Sequence, residues 1–316
     1  MKTRIPQSAI LGIAALVVLQ QTSVFAFNPN FGEVVHEKKS LYTSIFVYQS
    51  GSMATLQFGK RQASTVQSQV DVENPRVHLL EYSEMTFCSL LYNPEPKKLL
   101  VIGLGGGVIP REMRHYFPEM EIDVAEIDKE IQPIATTYFG FKTDEKLKVH
   151  EMDGRVFVKR QLKVDPVPKY DLIVLDAFNG DYIPFHLMTK EFLEELKGVL
   201  SDKGVVVANV FYSNRLFDAE FKTFVEVFGR SQVFYGVNSG NAMVVSPASD
   251  VPLLTASDAV SKAREVQEKL GLSFDFARIA RMLDPDAKPD AGAKTLTDDQ
   301  APVNVLRSQE TTTTTP

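Results

Sequence analysis

Four segments of this chain, three of them apolar, each end on residues that can do chemistry. Leu99–Ile102 runs into Gly103, Gly105, Gly106 and Gly107, and Ile122–Ala125 runs into Glu126 and Asp128. The segment at 148–151 leads to Asp153 and Gly154, and Leu172–Leu175 leads to Asp176. A glycine turn lets the backbone approach a ligand and aims N–H groups at its polar end. A carboxylate closing the next strand accepts hydrogen bonds from ribose hydroxyls. Asp153 suits a neutral donor such as an adenine amino group, and Asp176 would face the reacting centre. Solvated turns explain any one of these groups and explain four in step poorly. The expectation is a nucleoside site.

Such residues meet only if the chain winds them onto one edge. From residue 99 strands and helices alternate: strands at 99–102, 122–126, 148–151, 172–175 and 204–209, with helices at 109–117, 129–138, 155–162, 189–199 and 217–228 between and after them. Two further strands, at 231–236 and 241–246, close the series without an intervening helix. This is the pattern of an α/β fold, a doubly wound, mostly parallel seven-stranded sheet whose ligands sit outside the carboxyl ends of its strands. Before it, Tyr42 to Gln69 alternates as a hairpin plus a third strand at 61–69, a small antiparallel β domain. Residues 27–41 read as irregular, Pro75 as a hinge and 77–91 as a helix stopped by Asn93-Pro94-Glu95-Pro96. Two amphipathic helices are expected at 256–270 and 273–283, followed by a tail rich in Asp, Pro, Ala and Thr. The expected division is 1–26, 27–76 (β domain), 77–250 (nucleoside-binding domain), 251–285 (C-terminal helices) and 286–316 (largely disordered).

Composition narrows the function classes. The chain has 316 residues, 44% hydrophobic and 23% charged, with net charge −6 and no long basic run. Nucleic acid is therefore not an expected partner. Cys88 is the single cysteine and lies in an apolar stretch, so it reads as a core residue. His36, His78, His115, His150 and His186 lack zinc-type spacing, and no metal site is expected. At the N-terminus, Lys2 and Arg4 precede the apolar run Ala9–Leu19, with Val24 and Ala26 before Phe27. That layout predicts a secretory signal cleaved after Ala26 and an exported protein; an uncleaved segment would instead anchor the chain to a membrane.

Tyr82-Ser83-Glu84-Met85, the Ile102-Gly-x-Gly-Gly-Gly107 turn, Glu126-Ile127-Asp128, Asp153-Gly154 and Asp176-x-x-Asn179 together resemble the spermidine synthase family, the polyamine aminopropyltransferases. Tyr42-x-x-Ile45-x-Val47 and Gly59-x-x-Gln62 extend the likeness into the hairpin region, and Asp176 to Pro184 with Leu296 to Val303 is similar to a bacterial spermidine synthase-like branch. The resemblance implies a class I methyltransferase-like fold, a homodimer, and decarboxylated S-adenosylmethionine as co-substrate. It implies cofactor contacts from Gln62, Gly103, Gly105, Gly107, Glu126, Asp153 and Gly154. Asp176 and Tyr82 would flank an amine acceptor such as putrescine, with Asn179 and Asp181 in the acceptor groove. A carboxylate there accepts a proton from the incoming ammonium as the amine attacks the carbon beside the sulfonium. Three positions depart from the family pattern. Gly106 and Asn179 stand where the family carries aspartates, and Ser83 stands where it carries His or Gln; Asp181 would compensate for one lost carboxylate. Asp298 and Asp299 either return to the site or cap a last turn, and the cap is the reading taken. Two alternatives stay open: an S-adenosylmethionine-dependent methyltransferase, and a non-catalytic exported nucleoside-binding protein.

Overall fold

Alternate residues of the strand Lys98–Ile102 face opposite layers. Leu99 and Val101 pack into one core cluster, and Leu100 and Ile102 into the other. A strand buried on both faces must be apolar throughout, and this one is the centre of the molecule. The computed structural model describes residues 27–28, 31–61, 65–180, 183–213, 215–302 and 306. Residues 1–26, with the expected signal segment, lie outside the described residues, as do Gln62 and Asp181.

Two sheets organise the chain. The first has five antiparallel strands in sequence order: β1 (Phe27–Asn28), β2 (Gly32–Lys39), β3 (Ser44–Ser50), β4 (Met53–Phe58) and β5 (Ser68–Asp71). The second contains β6 (Lys98–Ile102), β7 (Glu121–Glu126), β8 (Leu147–Glu151), β9 (Tyr170–Leu175), β10 (Leu200–Phe211), β11 (Gln232–Tyr235), β12 (Asn241–Pro247) and β13 (Leu283–Asp284). Its order is β13-β11-β12-β10-β9-β6-β7-β8, with β6 to β10 parallel and the last three antiparallel. The chain winds outward from β6 through β7 to β8, then crosses back to place β9 on the other side of β6. Strand order therefore reverses between β6 and β9, where such sheets open a ligand crevice.

Helices cover both faces. α2 (Val108–Tyr116), α3 (Ile131–Tyr138), α7 (Ala256–Leu270) and α8 (Phe276–Ala280) supply Met113, Ile134, Val266 and Ile279 to the cluster holding Leu99. α4 (Gly154–Gln161), α5 (Lys190–Val199) and α6 (Arg215–Phe228) supply Phe157, Phe192 and Phe221 to the other. The small sheet joins the first cluster through Ile45, Val47, Leu56 and Val70, which holds it over the strand ends of the large one. Cys88 is fully buried there, and burial pushes its thiol far up, so it stays protonated.

The structure differs from the sequence expectation in several places. The large sheet has eight strands rather than seven, because Leu283 and Asp284 pair with Phe234 and Val233. The helix expected at 273–283 is only α8, started by the Asp275 cap and ended in time for that pairing. Residues 32–39 form a strand although five of those eight positions are Glu, His or Lys, a composition that hides the β pattern. Helix α1 spans only Glu81–Met85 and continues as a 3₁₀ turn over Thr86–Leu91, so 77–80 is not helical. Finally, the segment expected to begin a disordered tail packs back onto the fold. Leu296 is 1% exposed, its N–H donates to Thr223 Oγ1 at 2.9 Å, and its carbonyl accepts from Lys190 N. Among the described residues no helix is long and apolar enough to cross a membrane.

Candidate active site

At the reversal point lies a cleft of about 340 Å³. The ends of β6, β7 and β9 supply Gly103–Gly105, Glu126–Asp128 and Asp176–Asn179; Asp153 and Gly154 come from the turn after β8. Tyr42, Thr43, Phe58 and Gln67 close one side from the small sheet, and Pro184, His186 and Leu187 close another. The lining carries four carboxyl groups, Glu126, Asp128, Asp153 and Asp176, and among its described residues no lysine or arginine. Such a lining favours a cation. Glu126, Asp153 and Asp176, far apart in sequence, thus share one recess.

Glu126 organises the part of the cleft where β6 and β7 end. Its Oε2 accepts from Leu104 N at 2.9 Å and its Oε1 from Asp128 N at 2.8 Å, so one carboxyl staples the glycine turn to the end of β7. Burial raises its pKa to about 7 against the pull of those N–H donors. Asp128 is 5% exposed and uses Oδ1 to accept from Glu130 N, while its buried Oδ2 has no partner. An orphaned acceptor beside Glu126 fits a ligand hydroxyl.

The glycines have separate reasons. Gly103 has φ +97°, and a Cβ there would strike Asp176 O, so only glycine lets β6 and β9 meet at the cleft floor. Gly105 and Gly154 also line the cleft, whereas Gly107 stands outside it as the N-cap of α2. Gly106 N donates to Ser68 Oγ at 2.9 Å, and a Cβ at 106 would lie 2.8 Å from Ser68 Cβ and 2.9 Å from Phe139 Cδ1. The small sheet fills the space a side chain would need, which accounts for the missing aspartate.

Asp153 is already engaged. Its Oδ1 caps α4 by accepting from Val156 N at 3.0 Å, and its Oδ2 is 2.8 Å from His186 Nε2. Burial alone would raise its pKa, but the His186 and backbone hydrogen bonds hold it below the usual carboxylate value.

Asp176 lines the cleft where β9 ends. Its carboxyl is buried, which raises its pKa to about 7, while the Asn209 amide donating to Oδ1 at 2.8 Å pulls the other way. Tyr82 does not line the cleft. Its hydroxyl donates to Gln67 O at 2.9 Å and lies 3.5 Å from Ser68 Oγ, so it braces the wall from behind. Burial and the Asp176 charge push the phenol far up, and it stays protonated. Asn179 does line the cleft, and the loop carrying it is tied to the small sheet by Gln67 Nε2 donating to Gly180 O at 2.7 Å. Ser83 faces away, with its hydroxyl 2.8 Å from His78 Nδ1.

Asp298 neither returns to the cleft nor caps a turn. Arg155 forks onto it at 2.7 and 2.8 Å and onto Glu195 at 2.8 and 3.0 Å, and Thr189 Oγ1 donates to it at 2.7 Å. This anchors the C-terminal segment beside Gly154. Three site residues escaped the sequence reading: Gln67, His186 and Asn209. Only Asn209 carried a signal, as the lone amide in the apolar run Val205–Val210.

The raised carboxyls make stability depend on pH. A buried acid that keeps its proton to about pH 7 when folded, but releases it near pH 4 when unfolded, costs stability as pH rises through that window. Asp176→Asn removes one such group. The melting temperature of the ligand-free variant should therefore fall less than that of the wild type between pH 4 and 7, by several degrees on a Tm–pH plot. Parallel curves would mean that Asp176 titrates normally.

Residues 80–239 match the spermine/spermidine synthase domain. A polyamine aminopropyltransferase of Vibrio vulnificus is 36% identical over 306 residues, covering 93% of this chain and 98% of that protein. Human methyltransferase-like protein 13, solved in complex with SAH, is 26% identical with a TM-score of 0.56 over 61% of this chain and 93% of that one. A spermidine synthase in complex with the transition state analogue AdoDATO superposes with a TM-score of 0.60 at 19% identity, over 80% of this chain and 84% of that one, a likeness of fold. The family match and the near full-length relative agree with the five motifs: this chain belongs to the spermine/spermidine synthase family.

Proposed function

We propose that this chain is a transferase that moves the aminopropyl group of decarboxylated S-adenosylmethionine onto an amine such as putrescine. The observation that carries the reading is the set of four carboxyl groups, unmatched by any described lysine or arginine, in one cleft at the sheet's reversal point. The donor is a sulfonium and an ammonium, and the acceptor is an amine, so every reactant is cationic or becomes so. Glu126 and Asp128 would hold the ribose hydroxyls, Asp128 through its free Oδ2. Asp153 would meet the adenine amino group alongside His186.

In the reaction the acceptor nitrogen forms a bond to the methylene next to sulfur. The carbon–sulfur bond breaks with its electron pair going to sulfur, which leaves as neutral methylthioadenosine. The proton lost by the nitrogen passes to Asp176, whose pKa of about 7 suits a base working near neutrality. Tyr82, held protonated, orients the Gln67 wall and takes no proton.

A second reading is methyl transfer from S-adenosylmethionine. It is favoured by Gly106, which puts no acid at the glycine turn to meet the donor's ammonium, a charge that S-adenosylmethionine offsets with its own carboxylate. Ligand-induced thermal shift with turnover separates the two. Decarboxylated S-adenosylmethionine or methylthioadenosine at about 100-fold excess over Kd should stabilise the fold by roughly 2.7 kcal/mol, and putrescine should be consumed. Stabilisation by S-adenosylmethionine and S-adenosylhomocysteine alone, without putrescine turnover, would favour methyl transfer. Assembly as a homodimer, and export by cleavage after Ala26, are part of the same proposal; sedimentation and N-terminal sequencing of the mature protein test them.

A further inference from the structure

Two buried amides lead inward from the Asp176 carboxyl. Asn209, on β10 and 2% exposed, donates Nδ2–H to Asp176 Oδ1 at 2.8 Å, the one hydrogen bond to that carboxyl among the described residues. Asn241 opens β12 and donates its own Nδ2–H to Asn209 Oδ1 at 2.8 Å. Strand register produces both contacts. Ala208 pairs with Leu175, which sets Asn209 beside Asp176, and Phe211 pairs with Asn241, which sets Asn241 diagonal to Asn209. An amide inside an apolar strand is costly unless both of its ends are satisfied. Here both are, and along a single line that ends at Asp176.

We infer that Asn209 and Asn241 are positioning residues that aim the Asp176 carboxyl at the incoming amine. The direction of the line follows from its members. A carboxylate only accepts, so the Asn209 NH₂ must face it and the Asn209 oxygen must face away. Asn241 donates to that oxygen and so fixes which way round the Asn209 amide sits. One Asp176 oxygen is thereby held by the protein, which sets the orientation of the other. The Asn241 backbone continues the support: its N–H meets Ser239 Oγ, whose hydroxyl donates to Glu81 on α1, next to Tyr82. Other titratable groups around Asp176 are Tyr82 on α1 and, in the cleft, Glu126, Asp128, Asp153 and His186. None of them hydrogen-bonds to either asparagine among the described contacts.

This role rests on the aminopropyl-transfer reading, so its test has a readout independent of turnover. Asn209→Leu and Asn241→Leu keep the branched side-chain shape and remove the donor. In the intact protein, ¹³C NMR titration of labelled aspartate carboxyls, with Asp176 assigned through Asp176→Asn, reads the carboxyl directly. Loss of one charge-assisted bond should move its titration up by about one pH unit in Asn209→Leu, and by less in Asn241→Leu. Turnover should show kcat lowered about 10- to 100-fold, with the acid limb of the pH profile displaced upward and the donor KM unchanged. Should Asn209→Leu fail to fold, Asn241→Leu carries the same test from one layer further out. An Asp176 titration unmoved in both variants, with normal kcat, overturns the proposal. A displaced titration in a protein that transfers nothing supports the positioning role and overturns the transfer reading instead.

Discussion

Asp176→Asn should lower kcat for transfer by about 10²- to 10⁴-fold, the range lost with a positioned base, while methylthioadenosine binds as tightly as before. The substitution keeps the shape at the end of β9 and lets the introduced amide oxygen go on accepting from Asn209 Nδ2. What changes is the group turned toward the cleft. An NH₂ donates where the attacking nitrogen needs an acceptor, and it cannot take a proton. The nucleoside is expected to bind through Glu126, Asp128 and Asp153, which Asp176 does not hydrogen-bond. Calorimetric titration with methylthioadenosine, run beside steady-state kinetics, reads both halves. Full turnover by Asp176→Asn would remove the base from the mechanism; a large loss of affinity would mean that Asp176 holds the nucleoside.

The recess could be read from sequence because each contributor sits where a βα unit ends. Leu99–Ile102, Ile122–Ala125 and Leu172–Leu175 are apolar runs of a kind that occurs in buried parallel strands, and a wound sheet sends their carboxyl ends to one edge. Periodicity carries that much. It does not carry contacts made across the fold. Gln67 closes the cleft by reaching Gly180, 113 residues away, and His186 reaches Asp153 from a 3₁₀ turn with no periodic mark. The motif puts Tyr82 against the acceptor, whereas its hydroxyl is taken by Gln67 O. Local composition also misled where charge outweighs pattern: β2 carries Glu33, His36, Glu37, Lys38 and Lys39, yet pairs with β3 along its length. The segment around Leu296 looks like a polar tail, and only the Thr223 and Arg155 contacts show why it is held.

The neutral positions in the cleft have different standings. Gly106 is dictated by packing, since Ser68 and Phe139 occupy the place of its side chain. A Gly106→Asp change therefore needs Ser68 to move before any carboxylate could face a ligand. Asn179 has no such constraint: it lines the open cleft on a loop joined to the small sheet through Gly180. Under the proposed function, acceptor charge is thus a property that substitution at 179 would tune without disturbing the core, whereas the donor side would be fixed by how the two sheets meet.

Glu126→Ala should act on that donor side alone. Its carboxyl accepts from Leu104 N and Asp128 N, and under the proposed function it also accepts from the ribose. Removing it leaves two buried N–H groups without partners, each costing about 1–3 kcal/mol, so the melting temperature should fall. Methylthioadenosine affinity should drop about 10²-fold or more, because the ribose loses an acceptor and the glycine turn loses its staple. At saturating donor, kcat should stay within a few-fold of wild type, the reverse of the Asp176→Asn signature. Glu126→Gln sharpens the test. It keeps the shape and one acceptor, but turns an NH₂ toward one of the two N–H donors. With a carboxyl that titrates near pH 7, wild-type affinity should climb as pH rises through that value and the carboxylate forms. The glutamine variant has no such proton to lose at 126, so its affinity should lack that step. If both variants bind as tightly as wild type at pH 8, Glu126 is only a staple, and the ribose must be held by the free Asp128 oxygen alone.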